Sequence, residues 1–139
     1  MAVAANVTSE QTLQVGVNGP GDVLSLFVVS GIANGSLSAF SQTGNFAQQQ
    51  QTFAAHVGPQ LTVAQFRKAI ASASITSLSI SGDGAFASWE VTDVDADFDD
   101  EAGRIELTFD LRVAVQAAGV TSVQAVVASV GFQVTILTT

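Results

Sequence analysis

Between residues 93 and 99 every second residue is an aspartate, with Val94, Ala96 and Phe98 placed between Asp93, Asp95, Asp97 and Asp99. Asp100, Glu101, Ala102 and Gly103 follow, and then Ile105-Glu106-Leu107-Thr108-Phe109-Asp110-Leu111 alternates apolar and polar residues without a break. A period of two sends successive side chains to opposite faces of a strand, whereas a helical period would scatter both sets around its axis. Two such runs about a short glycine-containing loop predict a β-hairpin with one apolar and one acidic face.

The hairpin can be paired residue by residue. Gly103 suits the positive-φ position that closes the loop. Phe98 then faces Ile105, Ala96 faces Leu107 and Val94 faces Phe109. Trp89 and Val91 are apolar but out of phase with these positions. A one-residue bulge near Thr92-Asp93 brings them back, with Val91 opposite Leu111 and Trp89 opposite Val113. The expected inner face is therefore Trp89, Val91, Val94, Ala96 and Phe98. On the outer face Asp97 meets Glu106, Asp95 meets Thr108 and Asp93 meets Asp110. Directly opposed like charges are destabilising by up to about 1 kcal/mol. Arg104, Arg112, a bound cation or a basic surface on a partner are candidates to offset that.

A Ca²⁺ ion at the hairpin tip would draw on Asp97, Asp99, Asp100 and Glu101. The segment is not an EF-hand: in a frame beginning at Asp95, Asp100 stands where glycine is needed, and no helices flank the loop. A solvated acidic edge that prevents edge-to-edge pairing accounts for the same residues without an ion.

The remainder of the chain reads as mainly β. Residues 7–17 form a first strand with Leu13, Val15 and Val17 on one face, and Asn18-Gly19-Pro20-Gly21 is a turn. Residues 22–32 are a central strand, and Asn34-Gly35 predicts a hairpin turn with 36–40 returning. Residues 41–60 are open between a short helix, with Phe46, Phe53, Ala54 and Val57 on one stripe, and a long surface loop. Thr62 and Gln65 have the spacing of a capping box, Leu61 and Phe66 that of a hydrophobic staple, and Val63, Phe66, Ile70 and Ala73 one helical stripe. They predict a helix over about 63–73. Strands are expected over 75–80, 85–98, 104–116 and 123–137, with Ser81-Gly82-Asp83-Gly84 as a turn. In the last, Val126, Ala128, Val130, Phe132, Val134 and Ile136 share a face. The expectation is one domain over residues 1–139. Its class is mainly β (α+β), an antiparallel β-sandwich-like domain of about seven strands with one inserted helix.

Composition narrows function. The chain of 139 residues is 47% hydrophobic and 12% charged, with a net charge of −8. Nucleic acid and anionic membranes would be repelled, while divalent cations and basic partners would be attracted. There is no cysteine, which removes disulfides, thiolate metal sites and thiol catalysis. The N-terminal residues lack the basic and apolar regions of a Sec signal, and the most apolar run, 23–33, is too short to span a bilayer as a helix. His56 is the sole imidazole and reads as a loop residue beside Val57-Gly58-Pro59. There is no Gly-x-Ser-x-Gly elbow, P-loop lysine or dinucleotide-binding spacing. Asn6-Val7-Thr8 and Asn34-Gly35-Ser36 match a glycosylation sequon, a pattern common by chance in Ser/Thr-rich chains.

No charge lies between residues 113 and 139, so the outer side of the terminal strand should be covered by a second sheet or another subunit. The expected function is a non-enzymatic structural subunit that self-assembles into a homo-oligomer, shell or filament, without cofactor or membrane insertion. The alternative is a Ca²⁺- or carbohydrate-binding β module on a surface or extracellular assembly.

Overall fold

The computed structural model describes residues 2–18 and 23–139. Eight strands follow in chain order: β1 (Val3–Ala4), β2 (Asn6–Asn18), β3 (Val23–Gln42), β4 (Phe46–Val57), β5 (Phe66–Gly82), β6 (Gly84–Asp99), β7 (Arg104–Ala117) and β8 (Ser122–Thr138). They form two four-stranded sheets, ordered β1-β4-β7-β6 and β2-β3-β8-β5. All pairings are antiparallel except the short β1–β4 contact. The sheets enclose one cluster of buried side chains, including Val29, Phe53, Leu107, Phe109, Leu111, Val130 and Ile136. This is a β-sandwich-like, all-β architecture.

The acidic hairpin has the register its alternation requires. Phe98 pairs with Ile105, Ala96 with Leu107, Val91 with Leu111 and Trp89 with Val113, and the ladder shifts between Thr92 and Asp95. Asp93 carries the bulge at φ 52°. Gly103 closes the loop at φ 68°, its amide donating to the Asp99 carbonyl at 2.8 Å. Three details differ from the expected pairing. Val94 falls within the register shift, so the pairing of Val94 with Phe109 is not part of the ladder. Thr92, not Asp93, is the ladder partner of Asp110. Trp89, on the edge strand β6, stays 41% exposed rather than buried.

The helix expected over 63–73 is absent; no helix occurs among the described residues. Its start signal does operate locally. The Thr62 amide donates to Gln65 Oε1 at 2.9 Å, and the amides of Gln65 and Phe66 donate to the Thr62 carbonyl at 3.0 and 3.2 Å. That single turn does not propagate. From Phe66 onward the chain pairs with β8. Ala69, Ala71, Ala73 and Ile75 then face inward, while Val63 and Ile70 of the supposed stripe are 67% and 61% exposed. The segment holds good helix formers in Ala64, Gln65, Arg67, Lys68 and Ala69, but a lone helix of this length is marginal, and a full ladder along β8 wins.

Three further expectations are corrected. Residues 46–57 are neither helix nor loop but strand β4, with Phe53, Ala55 and Val57 inward and registered against β7. Asn34-Gly35 is not a hairpin turn: β3 runs on to Gln42, with only a register shift between Asn34 and Leu37. Gly35 is required there by close approach, since a Cβ would lie 2.5 Å from a ring carbon of Phe53 on the opposite sheet. In β8 the buried positions change phase, from Val123, Ala125 and Val127 to Val130, Phe132, Val134 and Ile136. Both neighbours shift register at that level, between Asn34 and Leu37 of β3 and between Ile75 and Leu78 of β5. Of the turn expected at Asn18-Gly19-Pro20-Gly21, Asn18 ends β2 and the other three residues lie outside the described residues.

Candidate functional site: two unlike outer faces

On the outer face of β4, β7 and β6 the antiparallel register stacks side chains in rows. One row is His56, Glu106 and Asp97; the next is Ala54, Thr108 and Asp95; then Thr52, Asp110 and Thr92; then Gln50, Arg112 and Glu90. Period-two alternation sends every acid here to the outside, because the intervening residues Ile105, Leu107, Phe109 and Leu111 are needed for the core. Little positive charge answers them. Arg112 bonds to Glu90 and Gln48 at 3.1 and 3.0 Å, and Arg104 turns to Glu10 at 3.6 Å and the Gly58 carbonyl at 3.0 Å. Neither arginine reaches Asp93, Asp95, Asp97, Glu106 or Asp110.

Two acids show what this crowding does. A hydrogen bond shared with Asp110, reinforced by the charge repulsion between the two, raises the Asp93 pKa above the ordinary aspartate value. Thr52 Oγ1 donates to Asp110 Oδ1 at 2.6 Å. Asp99 is held below the ordinary value, first by its hydrogen bond to His56 and then by the backbone amide of Ala102.

The calcium candidates separate into different tasks. Asp97 Oδ1 accepts from the Phe98 amide at 2.8 Å. Asp99 Oδ1 accepts from the amides of Glu101 and Ala102 at 3.1 and 3.4 Å. Asp100 and Glu101 project from the exposed loop. The ligand-bearing group that does converge, among the described residues, is His56, Asp99 and Glu106, whose donor atoms lie within 4.8 Å of one another. His56 Nε2 stands 2.8 Å from Asp99 Oδ2 and 3.8 Å from Glu106 Oε2. His56 is thus a strand residue facing Glu106 rather than a loop residue. Alternation of Thr52, Ala54 and His56 against Phe53, Ala55 and Val57 was the signal for this, masked by the glutamine run before it.

The outer face of the second sheet is of opposite character. Val15, Leu26, Leu137 and Lys68 form one cross-strand row, and Leu13, Val28, Thr135 and Ile70 the next. Leu13 and Ile70 are 62% and 61% exposed. Leu26, Ile70, Thr135 and Leu137 line a shallow depression of about 190 Å³ together with Lys68. The uncharged strand β8 is an interior strand, paired to β3 on one side and β5 on the other, with one face in the core and the other forming part of this outer face.

No protein-family model, curated protein or solved structure matches this chain.

Proposed function

We propose that the protein is a non-enzymatic structural subunit that associates with further copies of itself through the aliphatic outer face of the β2-β3-β8-β5 sheet. The observation that carries this reading is the patch of Leu13, Val15, Leu26, Val28, Ile70 and Leu137, which crosses all four strands with Lys68 as the one charge in its two rows. Contiguous exposed apolar surface of this kind marks an interaction site. The distribution of charge selects the partner surface. With a net charge of −8 and its uncompensated acids on the opposite sheet, two copies repel through their acidic faces and meet at least cost through the aliphatic ones, whose two rows carry a single lysine. An acidic outer side would also limit edge-to-edge stacking beyond the intended contact.

Size-exclusion chromatography with light scattering tests the reading directly. A mass of two or more chains at micromolar concentration is expected. A strictly monomeric mass at high micromolar concentration would overturn it. A second reading, a cation-binding module, is favoured by the convergence of His56, Asp99 and Glu106 on the acidic face. Calcium held by Asp97, Asp99, Asp100 and Glu101 is the oxygen-only version of that reading.

A further inference from the structure

We propose that His56, Asp99 and Glu106 form a three-ligand site for a borderline divalent cation of the Zn²⁺ type, with solvent completing the coordination. Three strands contribute one donor each: His56 from β4, Glu106 from β7 and Asp99 from the end of β6. One imidazole nitrogen with two carboxylate oxygens, leaving an open position, is a donor set that suits zinc and its neighbours. Ca²⁺ and Mg²⁺ prefer oxygen ligands.

The separations fit a small ion. Tetrahedral coordination with bonds of about 2.0–2.1 Å places donors about 3.3 Å apart. The imidazole-to-Asp99 separation of 2.8 Å must open slightly and the imidazole-to-Glu106 separation of 3.8 Å must close by a similar amount. Side-chain torsions at half-exposed positions absorb such changes without moving the ladder. Asp99 is the best prepared ligand. The two loop amides hold one of its oxygens, and the other is left pointing at His56.

The surroundings favour a cation independently of the three ligands. Asp97 lies directly across the ladder from Glu106. Arg104, the ladder partner of Asp99, directs its guanidinium away to Glu10 and Gly58. A dication at His56 would therefore relieve repulsion that neither Arg104 nor Arg112 reaches. The site faces solvent, so entry needs no conformational change.

Isothermal titration of the EDTA-treated full chain with ZnCl₂, and separately with CaCl₂ at matched ionic strength, tests the proposal. Saturable binding of one zinc per chain is expected, with no comparable calcium heat. His56→Ala and Glu106→Gln should each weaken zinc binding at least about tenfold, while Asp95→Asn, one row away, should leave it nearly unchanged. Circular dichroism establishes that each variant is folded, and Glu106→Gln keeps the side-chain shape should His56→Ala disturb the strand. No saturable zinc binding overturns the proposal. So does binding that survives His56→Ala, or that falls equally in Asp95→Asn, because either outcome describes a diffuse acidic surface. Calcium binding as tight as zinc and indifferent to His56 overturns it in favour of an oxygen-only site.

Discussion

The rings of Phe66 and Phe98 stack with centroids 5.3 Å apart and planes inclined by 19°. Phe66 begins β5 in one sheet and Phe98 nearly ends β6 in the other, so this pair clamps two edge strands across the sandwich. It also consumes the residue that a helix over 63–73 would have used as its staple. Stacked aromatic pairs contribute about 0.5–1.5 kcal/mol beyond the area they bury. Both rings are half-buried, so Phe66→Ala and Phe98→Ala should each lower stability by about 2 kcal/mol, somewhat below the range for fully buried phenylalanine. A double-mutant cycle in urea should return a coupling of about 1 kcal/mol. Strict additivity would show that the rings do not act together.

Gly35 should tolerate nothing larger. Its missing Cβ is the space that the Phe53 ring occupies, and Phe53 is itself stacked on Phe109 at 5.8 Å. Gly35→Ala should cost about 1–3 kcal/mol through overpacking. Adding Phe53→Leu should recover part of that loss. If Gly35→Ala proves neutral by chemical denaturation, the close approach of the sheets at this point is wrong.

The acidic face should set the pH dependence of stability in two windows. Asp93 has a raised pKa in the folded state, so its ionisation is a cost that is complete above the folded value and is relieved as pH falls towards the unfolded value of about 3.9. Asp99 has a lowered pKa, so its contribution is present above about 3.9 and is lost as pH falls through its folded value. Asp93→Asn should therefore stabilise the protein at pH 7, and its advantage in Tm over the wild type should shrink as pH approaches about 4. Asparagine also accepts the φ of 52° at this bulge. Asp99→Asn should show the reverse sign, with its deficit shrinking only below about pH 4. Parallel melting curves for wild type and Asp93→Asn across this range would refute the Asp93–Asp110 interaction.

Assembly and folding can be told apart by position. Leu13 and Ile70 are exposed in the subunit, so Leu13→Lys and Ile70→Lys should leave unfolding within about 0.5 kcal/mol of wild type and reduce the mass seen by light scattering. Val127 is fully buried, so Val127→Lys should unfold the subunit instead. An oligomer indifferent to both surface lysines would place the contact elsewhere.

The Thr62 turn carries a smaller effect than a helix cap would. Its backbone amide and hydroxyl both approach Gln65 Oε1, at 2.9 and 3.3 Å. Thr62→Ala removes only the hydroxyl and should cost no more than about 0.5 kcal/mol, against about 1 kcal/mol for loss of a true N-cap. A loss well above that in thermal melts would argue for a larger ordered element at this point.

The sequence by itself determined the hairpin of β6 and β7: its register, its bulge at Asp93, the positive φ of Gly103 and the acidity of its outer face. These follow from strict alternation over adjacent segments, where a one-residue slip would bury aspartates and expose phenylalanines. The same local logic failed for residues 46–57 and 63–73, where the spacing of Phe46 and Phe53, or of Val63, Phe66 and Ile70, imitates a helical stripe. What decided those segments was the availability of partners distant in sequence: β7 offers β4 a continuous ladder, and β8 offers one to β5. Gly35 likewise reads as a turn residue until the Phe53 ring of the other sheet occupies the space above it. The meeting of His56 with Asp99 and Glu106 is of the same kind. It depends on which strand lies beside β7, and that choice is set by burying Phe53, Ala55 and Val57 in a shared core rather than by any pattern local to the histidine.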